Sequence, residues 1–359
     1  MSLTARTPPH RVAVSRRSAL RATAGALAVL ATAGCGSIAL GGPEEYTPPP
    51  PGIDDIYRAE LIPLLDRALA GTETVRDTAE PSAVDPALSA ALTALWAALP
   101  IQRTALLTGA QQEEEIDAQD PARERSAPAR LADAPADLSG LLATLVALRD
   151  LSTSAARQVS GSLARPVVAI GAHTAWIARR LEDAAELEVV SAPASSEEIV
   201  PVRDVPDTDP PSVGAQTDYF TTLEQAQQEE WYAGYLHEVL ASRARDEARE
   251  DHLGLVEVHR ARAEELERFA EEDGARVIPR QAVYPLPGGT LDAQLTGQLP
   301  SLLATGLMID HIALTGAAPF ERRPLSIAAA LAEAERLAPL VDRMDPLPSL
   351  EVEDPPADA

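Results

Sequence analysis

The residues with most chemistry to offer are the six histidines, His10, His173, His237, His252, His259 and His311, set among 55 acidic side chains. In a carboxylate-bridged di-metal helical bundle, two helices each supply a Glu and two supply Glu-x-x-His. The i, i+3 spacing matters because it puts both ligands on one helix face. None of the five histidines beyond the N-terminal region meets that test. Three positions earlier stand Ile170, Gly234, Arg249, Val256 and Met308 respectively. A subtler pattern remains. At about 100° per residue, Ala248, His252, Leu255, His259, Ala263 and Leu266 share one stripe, so His252 and His259 are expected to face inward. The stripe of Tyr232, Leu236, Val239 and Leu240 turns Glu229 inward, ahead of its neighbour Glu230.

Glu229, Glu230, His252 and His259 are therefore the candidate ligands if iron or manganese binds. Seven residues separate His252 from His259, roughly 10 Å along a helix axis, too far to share one ion. The helical segments that follow carry Leu302, Ile309, Ile327, Leu331 and Leu337 on apolar stripes, with no obvious inward carboxylate. Asp310 is the nearest candidate, and His311 lies one position round from it. Hydrogen bonding within a core is the plainer use of such residues. The expectation is of no catalytic residue, no metal and no cofactor, with the four-residue set as the alternative.

Other chemistries find less. Cys35 is the one cysteine, which excludes an intrachain disulfide and a Cys₄ or Cys₂His₂ zinc site. No Gly-x-Ser-x-Gly elbow occurs, and Pro287-Gly288-Gly289 reads as a turn rather than a phosphate cradle. Every one of the 30 basic residues is Arg, which removes Schiff-base and P-loop lysines. The net charge of −25 argues against nucleic acid, whose phosphates need clustered basic residues. His173, with Ile170, Ile177 and Leu181, reads as a core histidine with its hydrogen bonds satisfied. Trp96, Trp176 and Trp231 read as packing anchors.

The N-terminus reads as an address. Arg6, Arg11, Arg16, Arg17 and Arg21 precede an apolar stretch from about Ala22 to Ala33, too short to span a bilayer. Ser15-Arg16-Arg17-Ser18-Ala19-Leu20 resembles the twin-arginine export signal. Thr32-Ala33-Gly34-Cys35 resembles a bacterial lipobox, with Thr where Leu or Val is usual. That resemblance implies cleavage before Cys35 and a diacylglyceryl group on its sulfur; two acyl chains suffice for stable anchoring. Loss of five Arg makes the body more acidic still, and anionic headgroups should hold it off the surface. The expected location is the extracytoplasmic face of the cell membrane, lipid-anchored, with the Pro-rich stretch to residue 52 as a stiff spacer.

The elements that must carry the candidate residues read as helices. With 45% hydrophobic but only 3% aromatic residues, the core is built of Ala, Leu and Val, and no segment alternates with a two-residue period. Helices are expected over 54–69 with Gly71 as a stop, 85–109 bent at Pro100, 136–163, 166–186, 217–244, 246–273 stopped at Gly274, 290–315 and 325–344. Residues 110–135 read as a loop. The organisation expected is a signal peptide at 1–34, a lipidated Cys and spacer at 35–52, and an N-terminal bundle at 53–189. A linker at 190–216, a C-terminal bundle at 217–345 and an acidic tail at 346–359 follow.

Three places carry a family resemblance: Glu230-Trp231-Tyr232-Ala233-Gly234-Tyr235, His259-Arg260-Ala261-Arg262-Ala263-Glu264-Glu265-Leu266, and Ala282-Val283-Tyr284-Pro285-Leu286-Pro287. Together they resemble an actinobacterial ferritin-like domain of unknown function, over about Leu223 to Arg343. His237 stands where that family has its second motif Tyr. The resemblance implies a four-helix ferritin-like bundle and no established activity. Residues 53–189 look like a divergent companion, so the fold expected is all-α, two ferritin-like four-helix bundles in tandem. The function expected is a non-enzymatic envelope binding or interaction module, its partner an envelope protein or a small apolar ligand. The alternative is a metal-binding or oxidase protein with an incomplete di-metal site.

Overall fold

Sequence made of long Ala/Leu/Arg/Glu runs has nothing to bury along a strand and folds here as helix after helix. The structure, a computed structural model, describes residues 50–78, 85–118, 133–187, 192–204 and 215–350. Among these residues there are nine α-helices and no strand, so the chain is all-α. They are α1 Ile53–Thr78, α2 Pro86–Leu106, α3 Gly109–Ala118, α4 Leu138–Gln158 and α5 Gly161–Ala184, then α6 Ala215–Arg243, α7 Asp246–Asp273, α8 Ala293–Ala317 and α9 Arg323–Leu337. The twin-arginine pair Arg16 and Arg17, Cys35, most of the spacer and residues 351–359 lie outside the described residues. Residues 51–359 make one compact unit, which holds all nine of these described helices.

Helix starts follow the chemistry of their caps. Asp85, Asp137 and Asp292 accept hydrogen bonds from Ala87, Gly140 and Leu295 backbone N–H at 2.6, 2.8 and 2.7 Å, satisfying donors that each first turn leaves open. α7 ends as expected at Gly274, in the left-handed region at φ 76°, a conformation glycine reaches without steric cost. Other boundaries differ. α1 runs through Gly71 because that glycine makes a close contact: a Cβ there would stand 2.8 Å from the Pro135 ring. The break between α4 and α5 falls at Ser160, ahead of Pro166. There Asp54 takes both the Ser160 amide at 2.8 Å and its hydroxyl at 2.6 Å. α3 lies within the expected loop, with no buried residue, and Glu115 pairs with Arg103 at 2.7 Å.

α1, α2, α4 and α5 pack around Tyr57, Leu61, Leu95, Leu145 and Trp176. The same core continues without interruption into Met308 and Ile312 of α8 and Ile327, Leu331 and Leu337 of α9. Helices on the two sides of residues 190–216 therefore share apolar packing. One close backbone approach and two arginines fix their placement. α5 meets α8 at Gly161 and Gly316, where a Cβ on Gly161 would stand 2.4 Å from the Gly316 carbonyl oxygen. Fully buried Arg323 donates to the carbonyl of Val159 at 2.6 Å, occupying an acceptor at the end of α4. Arg180 of α5 donates to the carbonyls of Ala338 at 2.9 Å and Val341 at 2.7 Å, binding down the chain after α9.

α6 and α7 form a tight antiparallel pair, α6 lies against α8, and α8 against α9. Among the described residues α8 is the helix long and apolar enough to cross a membrane, but close to half of its most apolar window is buried against the other helices. Two stripe expectations on it are corrected: Leu302 and Ile309 are 56% and 38% exposed, because α8 buries the side carrying Leu303, Leu307 and His311. Trp96 is also no anchor. It is exposed, with its indole N–H 3.3 Å from Glu73 and Arg76 over its ring.

Candidate functional site: a buried carboxylate, histidine and arginine cluster

On α6 the buried positions include Leu223, Ala226, Glu230, Ala233, His237 and Leu240, spaced by three and four, within a wider buried arc that also takes in Gln227, Trp231 and Leu236. This corrects the inward carboxylate. Glu230 is fully buried, whereas Glu229 sits half-buried at the edge, accepting from Gln225 at 3.2 Å. The apolar stripe used to place Glu229 is the face toward α8. The centre of the buried arc lies one residue further round.

Three helices converge on Glu230. His259 Nδ1 of α7 and His311 Nε2 of α8 each lie 2.7 Å from a carboxylate oxygen, and Arg262 of α7 reaches it at 3.4 Å. Burial by itself raises the Glu230 carboxyl, but the Arg262 charge and then the two histidine hydrogen bonds outweigh it. They hold the group well below the usual carboxylate range. Because the carboxylate is ionised it accepts, so each imidazole carries a proton on the nitrogen facing it. His259 Nε2 and His311 Nδ1 have no hydrogen-bond partner.

Arg262 also donates to Glu333 of α9 at 2.5 Å, and Glu333 takes a second guanidinium from Arg336, one turn on, at 2.5 Å. Glu333 is fully buried, so α9 does supply the inward carboxylate that its apolar pattern had not revealed. Burial lowers the Arg262 guanidinium, but Glu230 and Glu333 raise it by more, and it stays charged. Two carboxylates and two guanidiniums thus close a neutral network in the middle of the bundle, with both oxygens of each carboxylate occupied.

A second histidine pair adjoins this network. His237 lies parallel over His259, ring centroids 5.2 Å apart at 12°. Its Nδ1 faces the Nδ1 of His252 on α7 at 3.1 Å. Burial, and then the neighbouring His259, His252 and Arg336, lower the His237 imidazole to about 3. Burial also lowers the half-exposed His252. On the other flank, burial followed by Glu229 and Glu230 pushes the Asp310 carboxyl up to about 7. Of the four residues expected as ligands, Glu230 and His259 meet directly. Glu229 stands toward Asp310, and His252 pairs with His237.

The cluster departs from the ligand set of a di-metal bundle on three of its four helices. α6 gives Glu230 and α8 gives His311. α7 reads His259-x-x-Arg262 and α9 reads Glu333-x-x-Arg336, against Glu-x-x-His on two helices in the metal-binding arrangement. These residues do not fit a pair of metal ions. The Arg262 guanidinium already lies between the two carboxylates that would bridge them, and no carboxylate oxygen is left to ligate. Among the described residues no group of three or more His, Cys, Asp or Glu has the placement of a metal site. Permitting Arg at the last position of Glu-x-x-His would have exposed Glu333 and Arg336 in the sequence. His311 follows Leu307 at i+4 and Met308 at i+3, a stripe that marks it as inward.

The three stretches that carry the family resemblance meet at this end of the bundle. Tyr284 is buried against Tyr232 and Tyr235, with ring centroids 5.8 and 5.5 Å away. Trp231 donates its indole N–H to the Ile278 carbonyl at 3.2 Å, and Gln227 accepts from the Ile278 amide at 2.7 Å. These bonds pin residues 277–285 over α6. Elsewhere, His173 is buried with Nδ1 unpartnered, which corrects the expectation that its hydrogen bonds are satisfied, and burial lowers it to about 4. A half-open cleft of about 1230 Å³ runs between the Ala-rich outer face of α2, Met308 and Ile309 of α8, and Val341 and Met344.

Compared with known proteins, the chain matches no family model, and neither a curated protein nor a solved structure of significant similarity is found.

Proposed function

We propose that this chain is a membrane-anchored envelope lipoprotein whose helical body is a non-enzymatic, ferritin-like binding or interaction module. The address rests on the sequence: Arg16 and Arg17 ahead of a short apolar stretch, then Cys35 at the lipobox position. In this reading the body is two ferritin-like four-helix sets, α1, α2, α4, α5 and α6 to α9, fused along α5, α8 and α9.

The observation that carries the non-enzymatic reading is the Arg262 guanidinium shared by Glu230 and Glu333. A di-metal oxidase needs those carboxylates as bridging ligands. A buried cation between them repels a dication and uses up the charge that would bind it. The alternative with iron or manganese at Glu229, Glu230, His252 and His259 is the weaker reading, since only Glu230 and His259 of these meet, while Glu229 and His252 turn to other partners. The test is Fe(II) oxidation in air by residues 36–359. The expected rate is that of buffer, whereas oxidation above buffer that disappears in Glu230→Gln would overturn the proposal.

The α2–α8 cleft favours one kind of partner. A volume of about 1230 Å³ exceeds that of most ligand pockets, and alanines leave its floor wide. The alanines, Ile101, Met308 and Ile309 that line it suit a small apolar ligand, and Arg180, Asp342, Arg343 and Asp345 line it too.

A further inference from the structure

We propose that His237 and His252 form a binding site for one zinc-class transition-metal dication at the edge of the bundle, separate from the arginine-filled core. The two Nδ1 atoms face each other 3.1 Å apart. Two nitrogens at zinc–imidazole bond lengths of about 2.0–2.1 Å and that separation subtend about 100° at the metal, within reach of tetrahedral or octahedral geometry. Neutral imidazole is the ligand that zinc, copper and nickel favour. Water completes the coordination sphere.

The supports are rigid. His237 and His252 belong to helices joined by a two-residue turn at Ala244 and Arg245, so their spacing does not depend on a loop. Arg260 of α7 pairs with Glu238 of α6 at 2.6 Å beside them, locking the register of the two helices. His237 is buried, and stacking on His259 fixes its ring plane, while half-exposed His252 gives an ion in solvent a way in. The first turns of α7 carry Asp246, Glu247, Glu250 and Asp251, and a chain of net charge −25 draws cations to its surface. Arg262 holds the interior, and among the described residues His252 is the one histidine that solvent reaches.

The site is independent of whether the body is enzymatic, and its test needs no activity. Zinc chloride is titrated into metal-free residues 36–359, with binding followed calorimetrically, and Cu(II) is examined by paramagnetic resonance. The expected results are one equivalent of zinc and a copper spectrum showing two nitrogen ligands. His252→Ala, at a half-exposed position, weakens binding at least about tenfold with an unchanged melting temperature in the absence of metal. His252→Asp retains part of the affinity, because carboxylate oxygen also suits zinc. Glu230→Gln leaves the stoichiometry as it was. Equal zinc binding by wild type and His252→Ala would overturn the proposal, as would no binding by either. Both outcomes mean that the pair is hydrogen-bonded and nothing more.

Discussion

Arg262 of α7 donates to Glu333 of α9 at 2.5 Å and to Glu230 of α6 at 3.4 Å, so one guanidinium ties three helices together. Both carboxylates are fully buried and stripped of hydration, with guanidinium as the compensating partner. Removing the cation leaves Glu230 with the two imidazoles alone and Glu333 with Arg336 as its one guanidinium. Arg262→Met is therefore expected to destabilise the fold by about 3–5 kcal/mol in chemical denaturation. The triple replacement of Arg262, Glu230 and Glu333 by apolar residues of similar volume should recover most of that loss. A loss below about 1 kcal/mol for Arg262→Met would mean that the cluster contributes little.

Asp310 gives a pH dependence whose sign can be worked out. Its carboxyl is raised to about 7 by burial and by the charges of Glu229 and Glu230. Between about pH 4 and 7 the folded chain holds this proton more tightly than the unfolded chain, so this group makes stability fall as pH rises through that window. Asp310→Asn should therefore raise the melting temperature at pH 7.5 and leave it nearly unchanged at pH 4. An equal shift at both values would locate the effect in packing rather than in charge.

Two glycines on the same helix should respond in opposite directions. A Cβ on Gly316 would stand 2.8 Å from the Arg165 Cβ and 3.4 Å from its Cγ, while Gly306 has nothing within 4 Å. Gly306→Ala is expected to stabilise α8 by about 0.5–1 kcal/mol, the ordinary gain in a helix interior. Gly316→Val should cost about 1–3 kcal/mol by forcing α5 away from α8. Thermal or chemical denaturation of the two variants distinguishes these outcomes.

Most of the helices were legible because periodicity and caps are local. The stripe through His259, Ala263 and Leu266 and the stop at Gly274 needed no knowledge of neighbours. Glu230, Glu333 and Arg262 were not legible in the same way. A charged residue at a core position breaks the apolar pattern unless its partner is known, and each partner lies on another helix. Gly71 misled for a related reason, since what decides its role is Pro135, distant in sequence. The close packing of α8 on α5 depends on Gly161 meeting Gly316, a contact that no single segment announces.

The anchoring proposal has its own outcome. Cys35→Ser should move the chain from the membrane fraction to the soluble extracytoplasmic fraction, and wild type should lose its anchor mass on delipidation. Membrane retention of Cys35→Ser would reject the lipid on that sulfur.

In the proposed ferritin-like reading, Arg262 stands between the carboxylates that would bridge a metal pair, and metal content measures that directly. Residues 36–359, refolded or secreted in excess iron and manganese and then desalted, are analysed by mass spectrometry beside the Arg262→His, Arg336→His double variant. The expectation is no core-bound iron or manganese in wild type, and gain of metal in the double variant as carboxylates and imidazoles are released to ligate. About two ions per wild-type chain, lost on Glu230→Gln or Glu333→Gln, would contradict it.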